Sequence, residues 1–419
     1  MGSKKTKTAV ICLTMAVILI AGGIFVYYYT QFSLVLNGEK EVTLNLCQVY
    51  EDPGVSAKRG GKDAGREVRT DSDLDTGKPG NYTIVYSLGN LSVSRHVTVG
   101  GTMDPVLKLK GRKQVDIKLG EKYVDSGFKA FDGTGKSLTG RVKVQTPKIT
   151  KTGRAYIKYT VTDQQGKSTL VTRALNVLPN TAYDTPGLPI CMFHYVYDRN
   201  DPPEDLLRRY GNYIEMRDLE EELRWLKSED YYFPTWREVR DYIDGKLLLP
   251  DRSIVLCFDD GARSFLELGI PVLERCKVPA TSFMITSGDG AKKVKKFQSK
   301  YVTYESHSHN MHRAGGNIGH GGIFTAMPEE KALEDLKTSV AICKNGDAFA
   351  YPFGDYTPRC RDIVENAGFQ CAVTTQAGKA RPGMDPLLLP RVRMVMGQSL
   401  QRFESVVAPP GSIQAGYSR

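Results

Sequence analysis

At 419 residues, 41% apolar and 25% charged, the chain is long enough for two to four domains, and its composition argues against wholesale disorder. Its 57 basic and 47 acidic residues leave a net charge of +10, which suits an anionic neighbour such as nucleic acid, lipid headgroups or a cell-wall polymer. No nucleic-acid motif accompanies the charge, so a nucleic-acid partner is not expected and a solvated basic surface is.

Residues 1–30 come first. After Lys4, Lys5 and Lys7 there is no charged residue until Glu39, and Thr8 to Tyr29 is a nearly continuous apolar run. About twenty such residues span a bilayer, whereas the apolar core of a cleaved signal is roughly 7–15. We expect a transmembrane anchor, with the lysines cytoplasmic and everything beyond Tyr29 outside the cell membrane. A signal peptide cleaved near Ala21-Gly22-Gly23 is the alternative. Eight cysteines without CxxC spacing read as buried free thiols.

Residues 31–100 and 101–179 form an internal repeat. "YEDPGVSAK" from Tyr50 matches "YVDSGFKAF" from Tyr123, "NYTIVYS" matches "AYIKYTV" with Tyr86 opposite Tyr159, and both copies close on a basic residue and a strand, "SRHVTV" and "TRALNV". Short period-2 strands between Gly, Asp and Asn turns predict two small antiparallel β-sandwiches. They resemble the bacterial immunoglobulin-like domains of exported surface proteins, which implies a spacer role.

"LPNTAYDTPG" (Leu178 to Gly187) reads as a linker. From residue 180 to 419 strands alternate with helices: "LPICMFHY", the amphipathic "MRDLEEELRWLKSE", "RSIVLCF", "SFLELGIPVLERC", "ATSFMIT", "PEEKALEDLKTSVAIC", "AFAYPF", "PRCRDIVENAG" and "QCAVTT". That alternation predicts a distorted (β/α) barrel around a parallel sheet, with reactive groups at the C-terminal strand ends.

Two motifs there carry chemistry. "IVLCFDDGA" ends a strand on Asp259 and Asp260, which taken alone is an ordinary turn. "YESHSHNMHR" holds His307, His309 and His312. Two imidazoles and a carboxylate make a three-ligand set with an open position, as a hydrolytic divalent site needs, and the second carboxylate is then free to act as base. Periodicity does not rank the histidines: His307 and His309 share a face if the stretch is extended, His309 and His312 if it is helical.

"FDDG", "SHSHNMH" and "YPFG", in this order over residues 185–400, resemble the polysaccharide deacetylases with a NodB-homology domain. The resemblance implies Asp259 as catalytic base, Asp260 as metal ligand, and His307 and His312 as the histidine ligands. Their five-residue spacing is similar to that of the poly-N-acetylglucosamine deacetylases. His309 is then left as a cleft-lining residue. In that branch the acid histidine comes from the first strand, which implies His194 of "PICMFHY"; a strand-end histidine satisfied by hydrogen bonds is the structural alternative.

The family's Arg-x-Pro-Tyr motif is altered to "AYPF". Ala350 stands where the family has Arg, and Phe353 where it has Tyr. The resemblance then implies a backbone N–H of Phe353 toward an oxyanion, Tyr351 beside it toward oxyanion or substrate, and Arg391 of "LLLPRVRM" replacing the lost arginine. The implied cofactor is one divalent ion, zinc first, with cobalt, nickel, manganese or iron accepted by the same ligands. The implied activity is N-deacetylation of a polymeric N-acetylglucosamine glycan at the cell surface, peptidoglycan first and poly-N-acetylglucosamine second. An O-acetyl esterase and an inactive carbohydrate-binding protein are the alternatives.

Overall fold

The computed structural model describes residues 14–20, 22–23, 31–46, 48–100, 104–133, 135–164 and 166–411. Residues 14–20 are helical and exposed, and no helix among the described residues is long and apolar enough to cross a membrane. Gly22 and Gly23 are helical as well, and the remainder of the expected span Thr8 to Tyr29 lies outside the described residues. The six cysteines from Cys191 to Cys371 are free and buried; Cys12 and Cys47 lie outside the described residues.

The chain separates into two compact units. The first repeat pairs Phe32–Leu36 with Val55–Arg59 and then Lys62–Asp63, while a second sheet runs Glu41–Leu44, Leu91–Val99, Gly80–Leu88, Arg69–Ser72. Leu34, Leu44, Ile84, Tyr86 and Val97 fill the space between. The sequence predicts antiparallel pairing throughout, and one pair departs from it: Glu41–Leu44 runs parallel to Leu91–Val99. These strands are not joined by a hairpin, the connection that forces antiparallel pairing.

The residues that made the repeat visible form the same buried cluster twice. In the first copy Arg95 pairs with Asp52, which also accepts from the Tyr86 hydroxyl. In the second, Arg173 lies 3.5 Å from Asp125, and Asp125 accepts from the Tyr159 hydroxyl at 2.9 Å. Both guanidinium groups are fully buried, so each needs its carboxylate, and that requirement keeps the Asp, Tyr and Arg at matching places.

The second unit holds a closed, wholly parallel barrel of seven strands: β1 (Ile190–Phe193), β2 (Val255–Phe258), β3 (Ala280–Met284), β4 (Val302–Ser306), β5 (Ala348–Ala350), β6 (Cys371–Ala377) and β7 (Leu389–Arg393). Sequential strands are neighbours, and β7 closes on β1 through Cys191 opposite Val392. Helices alternate with the strands along the chain: α1 (Met216–Ser228), α2 (Trp236–Ile243), α3 (Ile270–Cys276), α4 (Gly290–Lys296), α5 (Glu329–Cys343), α6 (Pro358–Asn366) and α7 (Leu400–Val407). Strands buried on both faces lose the polar alternation of half-exposed strands, which is why "IVLCF" and "AFA" read as unbroken apolar runs.

Local signals set the helix limits. Leu219, Leu223 and Leu226 are the buried stripe of α1. Thr235 opens α2 with a reciprocal capping box to Glu238. The expected helix "SFLELGIPVLERC" is interrupted: Phe265–Gly269 is a π turn before α3. Between β4 and β5 only Ser306 and Phe349 pair in register.

Candidate active site

The expected site residues converge on the C-terminal end of the barrel. β1 delivers His194, β2 delivers Asp259 and Asp260, β4 delivers His307, and β5 delivers Tyr351 and Phe353, while Arg391 lies within β7. Three strand ends leave the barrel through left-handed backbone: Asp260 at φ 71°, Ser308 at φ 73° and Phe353 at φ 59°. Such conformations cost side-chain-bearing residues free energy and persist where surrounding structure enforces them. Half of the six non-glycine residues with positive φ among the described residues are thus at one cleft. Gly261, at φ +58°, completes the turn after Asp260, and a Cβ there would sit 2.3 Å from the Met284 sulfur.

The adjacent carboxylates turn to different partners. Asp259 is buried and takes a bidentate pair from Arg391, Nη1 to Oδ1 at 2.9 Å and Nη2 to Oδ2 at 2.8 Å. Arg391 is itself held by its Nε donating to the Thr374 carbonyl at 2.8 Å. Burial pushes the Asp259 carboxyl up, but the Arg391 charge and hydrogen bonds, with His307 and His194, outweigh it and bring the group to about 2. Asp260 instead faces the histidines: its Oδ1 is 3.6 Å from Nε2 of both His307 and His312.

These three residues bring one ligand atom each within 4.8 Å of one another, the group among the described residues with metal-binding spacing. The Nδ1 of His307 lies 2.7 Å from the Ala350 carbonyl. A carbonyl only accepts, so Nδ1 carries the proton and Nε2 presents its lone pair toward Asp260. His312 is pushed down to about 4 by burial and then by His307, against the pull of Asp260, and its ring packs on Phe353 with centroids 4.1 Å apart. Two imidazoles and a carboxylate at this spacing suit a divalent ion of zinc type.

His309 does not line the cleft, contrary to expectation. Its Nδ1 is hydrogen-bonded to the Thr286 hydroxyl at 3.0 Å, and its backbone N–H, with that of Asn310, donates to the Asp335 carboxylate on α5. It therefore pins the loop that carries His307 and His312. The left-handed Ser308 turns the third histidine away from the other two, which neither an extended nor a helical reading of the stretch could supply.

His194 is half-buried, and its Nδ1 is a buried ring nitrogen without a hydrogen-bond partner in the protein, so the satisfied strand-end alternative does not describe it. Burial lowers its proton affinity below the ordinary imidazole value despite Asp259 and Asp260 nearby. Tyr351 lies against the cleft but is fully buried between Phe324, Phe349 and Tyr356. Its side chain belongs to the supporting core.

The cleft holds about 690 Å³ and is walled by residues the sequence did not single out, among them Tyr195, Arg209, Asn212, His320 and Arg393. Asp355, just after "YPFG", accepts backbone N–H groups from His320 at 2.9 Å and Gly322 at 3.0 Å, tying down the glycine-rich loop. A pair distant in sequence, such as Tyr195 with Arg209, leaves no local pattern.

Residues 248–372 match the polysaccharide deacetylase family, and residues 34–99 and 107–177 each match the Ig-like domain of bacterial surface proteins. A poly-β-1,6-N-acetyl-D-glucosamine N-deacetylase of Staphylococcus epidermidis is 27% identical over 233 residues, 50% of this chain and 78% of the relative. The enzyme of the same name from Staphylococcus aureus is 27% identical over 196 residues, 43% and 67% of the two chains. Among solved structures, a Streptococcus pyogenes deacetylase in complex with acetate covers 53% of this chain and 99% of its own at 22% identity, with a TM-score of 0.47.

Proposed function

We propose, from the premise that the chain carries a polysaccharide N-deacetylase domain behind two bacterial surface Ig-like domains, that it releases acetate from polymeric N-acetylglucosamine at a cell surface. The observation that carries this reading is the division of labour between neighbouring carboxylates. Asp260 stands with His307 and His312 as a three-residue ligand set, and Asp259 stands apart on Arg391.

A divalent ion held by Asp260, His307 and His312 would supply a Lewis acid for the acetyl carbonyl and lower the pKa of water. Asp259, ionised at all working pH values, accepts the proton of the attacking water. Its low proton affinity makes it a weak base, so the water has to be acidified for the transfer to proceed. Phe353 lines the cleft, and its backbone N–H is assigned to stabilise the developing oxyanion. His194 rests neutral, gains proton affinity as negative charge builds beside it, takes up the proton that Asp259 removed from the water and donates it to the departing amine, which leaves Asp259 ionised and His194 neutral again.

The named relatives support poly-β-1,6-N-acetylglucosamine as first substrate; peptidoglycan, first in the sequence reading, becomes the second. The apolar run after Lys7 supports a membrane-anchored enzyme, with the Ig-like modules as spacer. The test is acetate release from poly-β-1,6-N-acetylglucosamine oligomers, peptidoglycan, chitooligosaccharide and an O-acetylated glycan, with Asp259→Asn as control. Equal, background release by both proteins on every substrate with zinc supplied would end the enzymatic reading. Preference for the O-acetylated glycan would replace it with an esterase.

A further inference from the structure

We infer that Tyr195 and Arg209 are positioning residues that fix the Asp260 carboxylate as a one-oxygen ligand, an inference that rests on the metal reading of the Asp260, His307 and His312 set. The Tyr195 hydroxyl is 2.8 Å from Asp260 Oδ2, and Arg209 Nη1 is 2.5 Å from the same hydroxyl. A guanidinium can only donate, and a phenol has a single proton. With Arg209 donating to the Tyr195 oxygen, that proton is directed to Asp260. Oδ2 is thereby occupied, and Oδ1 is the oxygen left facing Nε2 of both histidines at 3.6 Å.

The pair is itself held. Arg209 lies over the Tyr195 ring, 5.2 Å from its centroid, and its Nε is 3.0 Å from Asp205 Oδ2. Asp205 Oδ1 accepts from the Tyr213 hydroxyl at 2.8 Å, and the rings of Tyr213 and Tyr195 are 5.0 Å apart. The chain of donors therefore runs from a braced surface arginine through a part-buried phenol to the ligand carboxylate. Asp260 itself sits in a left-handed turn beyond the last residue of β2, so the Tyr195 hydroxyl braces its carboxylate from a different strand end.

A carboxylate confined to one oxygen leaves more of the coordination sphere for water and the acetyl oxygen than one free to swing into a two-oxygen mode. Tyr195 is thus assigned a part in reactivity, though it touches no reacting atom. It follows His194 directly, so one strand end supplies both the proton donor and the brace for the ligand opposite it.

The experiment uses the full chain stripped with a chelator and titrated with zinc by calorimetry, then with cobalt by absorption. Tyr195→Phe keeps the ring and removes the proton. It is expected to weaken zinc binding about 10–100-fold and to change the cobalt spectrum, and saturating zinc should restore part of its activity. Arg209→Met, on the surface, should move both readouts in the same direction by less, and carries the test if Tyr195→Phe does not fold. Wild-type zinc affinity and an unchanged cobalt spectrum in both variants would overturn the inference while the metal reading stands. If instead Asp260→Asn binds zinc as tightly as wild type, the metal reading fails and the inference falls with it.

Discussion

The Arg391 fork on Asp259 is a pair neither of whose members tolerates being alone. Both are almost wholly buried, and removing one partner of such a pair costs roughly 3–5 kcal/mol. Arg391→Met should therefore lower the melting temperature. Arg391→Lys keeps a charge but loses the two-pronged geometry. In that variant the Asp259 carboxyl rises from about 2, so the acid limb of kcat/KM moves to higher pH, and a pH–rate profile of the two proteins reads the shift. Arg391 was legible only by resemblance, because 132 residues separate it from Asp259.

A second buried carboxyl lies outside the cleft. Glu222 on α1 is buried, one of its oxygens accepts from Gln398 at 2.8 Å and the other has no partner. Burial pushes it from 4.5 up to about 8. A raised folded value means that the protonated form favours folding: the stabilisation is full below about 4.5 and is lost as pH rises through about 8. The loss is on the order of 5 kcal/mol. Glu222→Gln should remove this component, so that the variant gains on the wild type between pH 5 and pH 8 in denaturant melts. An unchanged difference across that range would mean Glu222 is ionised in the fold.

Among the elements, the turn after β2 shows why the motif contains a glycine. Gly261→Ala would place a Cβ against the Met284 sulfur in a left-handed backbone, costing about 2–4 kcal/mol from conformation and overpacking together. Denaturant melts check the stability. Because the turn also aims Asp260, zinc affinity should fall with it. The strand-to-helix alternation was readable because buried parallel strands and amphipathic helices differ in period. The π turn at Phe265–Gly269 was not, since Phe265 stacks on Phe258 across the chain with centroids 4.0 Å apart, a contact with no trace in local spacing.

For the whole molecule, the Ig-like unit and the barrel unit each have their own core, and chemistry resides in the second. Asp125→Ala strips Arg173 of its carboxylate and should destabilise the repeat by roughly 3–5 kcal/mol. The kcat on a soluble oligosaccharide should stay at the wild-type value. Calorimetry and acetate release on the same preparation separate the two effects, and a fall in kcat matching the lost stability would couple the units. Chelation should abolish activity, and added zinc or cobalt should restore it.

The sequence by itself determined the repeat and the parallel α/β alternation, and its resemblance to the deacetylase motifs singled out Asp259, Asp260, His307, His312 and His194 as the candidates that line one cleft. Each of these is written in local spacing, in a self-match, or in motif order. Tertiary structure decided which carboxylate meets which partner, that His309 braces the loop and does not line the cleft, and that Tyr195 and Arg209 stand behind Asp260. Those outcomes depend on contacts between strand ends far apart in the chain and on left-handed turns at Asp260, Ser308 and Phe353, which one-dimensional periodicity does not encode.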